Sequence, residues 1–149
     1  MRLGRRAKHY LIDMDGVIYR GDIMIAGADR FVKRLEVLGR RFLFLTNSSD
    51  STPSDLQRRL SAMDIEVGVD CFYTSALATA AFLDAQKPEG KAFIVGEQGL
   101  REALSEVGYT MTDKDPDYVV LGGTKRYDFY EIATAIRLID QRVPFIATN

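Results

Sequence analysis

Two acidic side chains lie two residues apart in Asp13-Met14-Asp15-Gly16-Val17, directly after the apolar run His9-Tyr10-Leu11-Ile12. Carboxylates so spaced at a strand exit can meet in one cavity, and the glycine that follows permits a sharp turn. Such a pair can hold a divalent cation through oxygen ligands. It can also divide a reaction, one group attacking while the other moves protons. An acidic turn capping the next segment would use the same residues, so Asp-x-Asp alone does not separate these readings. A calcium loop is excluded: counted from Asp13, Ile18 stands where that loop needs glycine and Met24 where it needs glutamate. A second polar run, Leu45-Thr46-Asn47-Ser48-Ser49, follows another apolar segment. Its hydroxyl and successive backbone N–H groups suit an anion, although a Ser/Asn-rich turn into a helix would look the same by itself. An acidic, cation-capable exit next to a hydroxyl-bearing, anion-capable exit is the arrangement phosphoryl transfer needs.

Positioning these residues falls to an alternation of short apolar runs with helix-period segments. Residues 9–12 read as a buried strand ending in Asp13, and residues 42–45 as a second ending at Thr46. Between them Phe31, Val32, Leu35 and Leu38 recur at helical spacing after Gly27, with Gly39 as the stop. Thr52-Pro53-Ser54-Asp55 offers a cap, a proline at the first helical position and an early acid to a helix whose stripe is Leu56, Leu60 and Met63. Residues 71–73 form a short strand and residues 75–85 an alanine-rich helix. After Lys87-Pro88-Glu89-Gly90 the pattern resumes with a strand at 92–95, a helix at 100–107 stopped by Gly108, and a strand at 118–121. Asp128 with Glu131 then caps a helix carrying Ile132, Ile136 and Ile139, before a strand at 143–147. Leu100, Leu104, Val107 and those three isoleucines read as core. Repeated strand–helix units with nearly continuous apolar strands predict an α/β fold of parallel sheets covered by helices. Ligands of such sheets bind outside the carboxyl ends of the strands, where both polar runs fall. The turn at 87–90 is the candidate boundary between two parts.

Composition narrows the field further. The 149 residues are 46% hydrophobic and 28% charged, which excludes disorder, and twelve Gly and four Pro are too dispersed for collagen-like or low-complexity architecture. The longest apolar stretches are far too short to span a bilayer. Twenty basic against twenty-one acidic residues leave no global field to recruit nucleic acid or membrane. A single cysteine, Cys71, cannot form an internal disulfide and reads as a small buried apolar residue in a reducing compartment, so a cytoplasmic protein is expected. Residues 1–8 carry Arg2, Arg5, Arg6 and Lys8 with no apolar run after them and read as a short solvated lead-in. His9 is expected to serve neither metal nor catalysis.

The segment Tyr10-Leu11-Ile12-Asp13-Met14-Asp15-Gly16-Val17-Ile18-Tyr19, followed by Phe44-Leu45-Thr46-Asn47-Ser48-Ser49, resembles the first two motifs of the haloacid dehalogenase superfamily. The resemblance narrows to its class IIA branch, the NagD-like and p-nitrophenyl phosphatase-like hydrolases. Phe72-Tyr73-Thr74-Ser75-Ala76, Val95-Gly96-Glu97 and Phe145-Ile146-Ala147-Thr148-Asn149 are similar to the same branch, so the likeness runs over essentially the whole chain. It implies a Rossmann-like three-layer core, present in part over residues 1–88, and an inserted α/β C2-type cap, present in part over residues 89–149. It further implies a Mg²⁺-dependent phosphatase acting on a small phosphomonoester, such as a nucleotide or sugar phosphate, through an aspartyl-phosphate. Asp13 then corresponds to the nucleophile, and Asp15 to the group that protonates the leaving oxygen and activates the hydrolytic water. An acid at that place goes with phosphatase rather than dehalogenase or ATPase chemistry. Mg²⁺ would be held by the Asp13 carboxylate and the Asp15 backbone carbonyl. Thr46 and the Asn47 N–H would bind phosphate, and Met14, Gly16, Ser48 and Asn149 complete the implied phosphate- and substrate-binding set. Ser48 stands where branch members often carry a second asparagine. Residues 16–21 would form a flap with Tyr19 and Arg20 near its mouth, while Lys125 and Arg126 could serve a cap loop on anionic substrates.

The family pattern also needs a lysine beside the nucleophile and a late acidic motif for Mg²⁺, both expected beyond Asn149. Glu97 and Glu102, with Lys91 upstream, are poor substitutes: glutamate is the wrong length, Lys91 is too close, and the resemblance puts their strand in the cap. The C-terminal part of the core is thus expected to be absent and the chain by itself inactive. The alternative is a phosphate- or nucleotide-binding module without turnover. A receiver-like phospho-acceptor domain is set aside because Leu45-Thr46 and Leu121-Gly122 offer no aspartate at a later strand end. The expected partner is a small phosphorylated metabolite, with no nucleic acid polymer and no membrane; an exposed cap edge or truncated sheet would favour a homo-oligomer.

Overall fold

The computed structural model describes residues 9–148, so the lead-in at 1–8 and Asn149 lie outside the described residues. Packing divides the chain into two units, one running to Thr46 and including Ser54–Tyr73, the other comprising Asn47–Pro53 and the chain from Thr74 onward.

The first unit begins with β1 (Tyr10–Asp13), a hairpin of β2 (Tyr19–Arg20) and β3 (Ile23–Met24), and helix α1 (Ala28–Val37). Strand β4 (Phe42–Thr46), helix α2 (Pro53–Ser61) and a 3-10 turn at Val69–Cys71 lead into β5 (Phe72–Thr74). The sheet order is β1-β4-β5, with β1 and β4 parallel. Its centre is Phe44, fully buried, stacked on Phe72 at 5.5 Å and set edge-on to Phe42 at 5.4 Å. Helix α1 turns Ala28, Val32 and Leu35 inward. Phe31 and Leu38, expected in the same stripe, are 42% and 52% exposed. At about 100° per residue they lie on the flank of the buried row rather than in it. Phe31 there packs edge-to-face with Tyr10, with 6.5 Å between ring centroids. Gly39 ends the helix as expected, with a left-handed φ of 58° and Arg40 N–H donating to Leu35 O.

The second unit continues with α3 (Ser75–Gln86), β6 (Lys91–Val95), α4 (Gln98–Glu106), β7 (Thr110–Met111), β8 (Tyr118–Leu121), α5 (Phe129–Asp140) and β9 (Phe145–Ala147). These strands form a parallel sheet in the order β7-β6-β8-β9. Strand β6 is buried on both faces, and its alternation sorts the core into two layers. Ala92 and Ile94 pack with Ala76, Ala80 and Leu83 of α3 and with Leu100 and Leu104 of α4. Phe93 and Val95 meet Val119 and Leu138 on the other side. Thr74 caps α3 through the Leu77 N–H, and Asp128 caps α5 through the Glu131 N–H at 3.0 Å. The Glu131 carboxylate accepts from Arg101 at 3.0 Å.

One core assignment is corrected. Ile136 and Ile139 are 62% and 38% exposed, whereas Thr134 and Leu138 are buried. Both sides of α5 carry apolar residues, so periodicity alone could not say which side the sheet takes. The turn at 87–90 is tied to the elements around it. Lys87 Nζ lies 2.5 Å from Asp117, and the Tyr109 hydroxyl points to Leu83 O and Lys87 O at 2.9 and 2.7 Å. A Cβ on Gly90 would come within 2.9 Å of the Tyr109 ring, so the turn is held inside the second unit.

Two stability predictions follow from these cores. Phe44→Ala should cost about 3–5 kcal/mol, read as a lower urea midpoint with unchanged slope. Burial pushes the Tyr109 phenol up to about 12 from its ordinary 10. The folded state holds the neutral form, so this contribution is complete below the ordinary value and is lost as pH rises toward the shifted one. Tyr109→Phe should lose about 1 kcal/mol at neutral pH and flatten that alkaline limb in urea unfolding.

Candidate active site

Strand alternation sets the first part of the site. Ile12 and Met14 point into the core, Met14 with no exposed surface, and Asp13 and Asp15 are exposed between and beyond them. Strands β1 and β4 pair in parallel with Asp13 opposite Leu45. Both strands therefore run out at the same end, and Thr46 stands one residue beyond the partner of Asp13. Asp13 Oδ1 accepts the Met14 N–H at 2.8 Å, which orients the carboxylate and leaves its second oxygen to other partners.

The turn after β1 is knotted on one carbonyl. Met14 O accepts from the N–H groups of Val17, Ile18 and Tyr19 at 3.3, 2.8 and 3.3 Å, and Gly16 N–H donates to Tyr19 O at 2.7 Å. Gly16 has a φ of 80° with open space where a Cβ would stand, so glycine is needed there for backbone conformation, not for room. Of the two residues expected near the flap mouth, Arg20 is exposed but Tyr19 is buried. Its ring lies under the Arg59 guanidinium, 4.1 Å from the centroid, and Arg59 also donates to Gly21 O at 2.6 Å. The inward side of β2 thus anchors the hairpin. Met14, expected among the substrate-binding residues, has its side chain in the core, so only its backbone is available to a ligand.

Asn47 and Ser48 belong by packing to the second unit. Asn47 is exposed, and its carbonyl accepts from Ser75 Oγ at 2.8 Å. Ser48 Oγ donates to Asp50 at 2.5 Å and accepts from Ser51 N–H at 3.4 Å, so the hydroxyl shapes its own loop. Asn149 lies outside the described residues, while Thr148 N–H donates to Leu121 O at 3.0 Å beside the sheet. Glu97 accepts from Thr124 at 2.6 Å, Glu102 from Gln98, and Lys125 and Arg126 are exposed on the loop after β8. Cys71 is half-buried, and burial raises its thiol pKa, the wrong direction for a nucleophile. Among the described residues no three acidic, His or Cys side chains gather into a metal cage; Asp13 and Asp15 are exposed carboxylates at the β1 exit.

Three residues, Ser49, Gly99 and Gly123, are not among those the sequence singled out. Ser49, only 2% exposed, accepts the Gly123 N–H at 2.7 Å, and Gly99 N–H donates to Asp50 O at 3.0 Å. Ser49 is one hydroxyl in a polar tract. Gly99, in the first turn of a helix, was the one readable hint, since glycine there suggests a close backbone approach.

Comparison with known proteins identifies the family. The family described as haloacid dehalogenase-like hydrolase matches residues 10–110. Dihydroxyacetone phosphatase of Corynebacterium glutamicum (strain R) is 47% identical over 140 residues, 94% of this chain and 51% of that protein. The 5'-nucleotidase YutF of Bacillus subtilis (strain 168) is 34% identical over 142 residues, 95% of this chain and 56% of its own length. Among solved structures, NagD from E. coli K-12 is similar with a TM-score of 0.88 and 36% identity, over 95% of this chain and 56% of that one. The chain spans about half the length of the curated relatives it matches. With the match running from the first residue of β1 to the first of β7, and the paired aspartates and Thr46 inside it, the chain belongs to the haloacid dehalogenase-like hydrolases.

Proposed function

We propose that this chain carries the nucleophile of a phosphatase that hydrolyses a small phosphomonoester. The observation that supports this most is the β1 exit. Asp13 at the end of β1 and Asp15 two residues on are both exposed, the first oriented by a backbone N–H, at the same end of a parallel pair as Thr46. The relatives, a dihydroxyacetone phosphatase and a 5'-nucleotidase, favour a monoester and differ in the leaving group. A sugar phosphate or a nucleotide is the substrate class that follows.

In this reading the Asp13 oxygen not held by Met14 attacks phosphorus, and the bond from phosphorus to the leaving oxygen breaks. Asp15 gives its proton to that oxygen. The Asp15 carboxylate then takes a proton from water, whose oxygen attacks phosphorus, breaks the bond to Asp13 and releases inorganic phosphate. The Thr46 hydroxyl and the Asn47 N–H bind phosphate oxygens. Met14 and Gly16 act through backbone, the one orienting Asp13 and the other reversing the chain, while Ser48 contributes from a loop its own hydroxyl stabilises. Residues 1–88 are assigned to a catalytic core and residues 89–149 to a cap that reads the leaving group, with Asn149 among the substrate-binding residues.

The donors at the β1 exit fit Mg²⁺ in kind, being hard oxygens on an exposed strand end. Asp13 through its carboxylate and Asp15 through its backbone carbonyl would hold the ion, water and substrate oxygens filling the remaining positions. When bound, the ion offsets repulsion between an attacking carboxylate and a phosphate dianion. Among the described residues no helix is long and apolar enough to cross a membrane. A cytoplasmic location, a small phosphorylated metabolite as partner and self-association complete the proposal; no nucleic acid polymer or membrane is part of it.

Phosphate release from p-nitrophenyl phosphate by the protein at its natural length tests the assignment. Asp13→Asn should lower the rate by at least about 10³-fold, and Asp15→Asn by about 10²–10⁴-fold. A retained rate in Asp13→Asn would remove the nucleophile. EDTA should bring release to background and added Mg²⁺ restore it. Saturable phosphate binding with no release by the unsubstituted protein would favour a binding module instead.

A further inference from the structure

An open parallel sheet takes its ligands outside the carboxyl ends of neighbouring strands, where the chain leaves in opposite directions. In the second unit that place lies between β6 and β8. From β6 the chain crosses to β7 on one side, and β8 lies on the other. The loops that open there are Gly96-Glu97, leading into α4, and Gly122-Gly123-Thr124. Glycines so placed, together with the free N–H groups of a helix start, are what a bound anion would use.

The crevice is filled by residues Asn47–Pro53 of the same chain, which cluster with this unit. The Asp50 carbonyl takes the Gly99 N–H of the first turn of α4, at 3.0 Å, a helix whose N-cap residue Glu97 makes no side-chain cap. Ser49 Oγ takes the Gly123 N–H after β8 at 2.7 Å. The fit leaves no room. A Cβ on Gly99 would stand 2.6 Å from the Ser51 carbonyl oxygen, and one on Gly122 would stand 3.1 Å from Ser49 Oγ and 2.8 Å from Leu100. Ser49 and Thr52 are both buried in the process.

We infer that Ser49, Gly99 and Gly123 are positioning residues: the ligand crevice of the second sheet holds a loop of its own chain and thereby fixes the backbone of Asn47 and Ser48. The anion-binding consequence rests on the function proposed above; the seating of the loop does not. Strand β4 ends at Thr46, so the residues after it take their conformation from these contacts. The crevice contacts thus hold the two residues proposed to bind phosphate, and all of these groups lie within the second unit.

The test uses the isotopically labelled protein at its natural length and three variants, with inorganic phosphate plus Mg²⁺ as the probe. Gly99→Ala should displace the Asn47 and Ser48 amide resonances and weaken phosphate binding by at least about tenfold, as misplacement of a binding group does. Ser49→Ala, the milder change, should speed hydrogen exchange at the Gly123 amide and move the same two resonances. Leu138→Ala removes a buried side chain elsewhere in this unit and should lower stability while leaving both resonances and phosphate affinity unchanged. Unmoved Asn47 and Ser48 resonances in Ser49→Ala and Gly99→Ala would overturn the inference, as would equal movement in Leu138→Ala. Failure of the unsubstituted chain to bind phosphate would count against the functional reading alone, since the resonances still decide the seating.

Discussion

Everything at the proposed site depends on the parallel pairing of β1 with β4 around Phe44. Pairing puts Tyr10 opposite Phe42 and Asp13 opposite Leu45, so the two strands end together. Burial of Ile12 and Met14 then leaves the alternate positions, Asp13 and Asp15, facing outward. A one-residue slip would drive the carboxylates into an apolar core and expose Met14, at a cost far above what a small domain can bear. The register is thus defended by packing, and the chemistry inherits it. The Met14 backbone completes the arrangement, its N–H orienting Asp13 and its carbonyl closing the turn that Gly16 makes possible.

The second unit applies the same physics to a different end. Strand β6, covered on both faces, leaves its polar business to the loops at its carboxyl end. There Gly99, Gly122 and Gly123 bring backbone close, and a loop of the same chain occupies the opening. Arg101 ties the strand end to α5 by donating to Gly96 O and Ile94 O as well as to Glu131. Such a crevice offers hydrogen bonds to whatever fills it, and a loop tethered by its own chain has an effective concentration that a free ligand cannot match.

Most of the architecture was legible because its signals are local. Gly39 and Gly108 stop helices with left-handed backbone, Asp128 caps α5, and the strand–helix alternation gives parallel sheets. The misreadings share one cause. Ile136 and Ile139 sit at helical spacing on α5 yet face outward, and Phe31 and Leu38 flank the row that α1 buries. Tyr19, expected at an exposed flap mouth, is covered by Arg59, forty residues later in the chain. Spacing states that a face exists; it does not state what lies against it.

The paired carboxylates and the hydroxyl after the next strand were therefore determined by sequence alone. Residue type and strand periodicity suffice to place them at two strand exits of an α/β sheet, and the motif they form suffices for the family. Which oxygen of Asp13 is held, the burial of Tyr19, and the capture of Asn47–Pro53 by the loops after β6 and β8 were decided only in the tertiary structure. Each depends on groups brought together from distant parts of the chain or on the rotation of one helix about its axis. Those are properties of packing, and no local pattern encodes them.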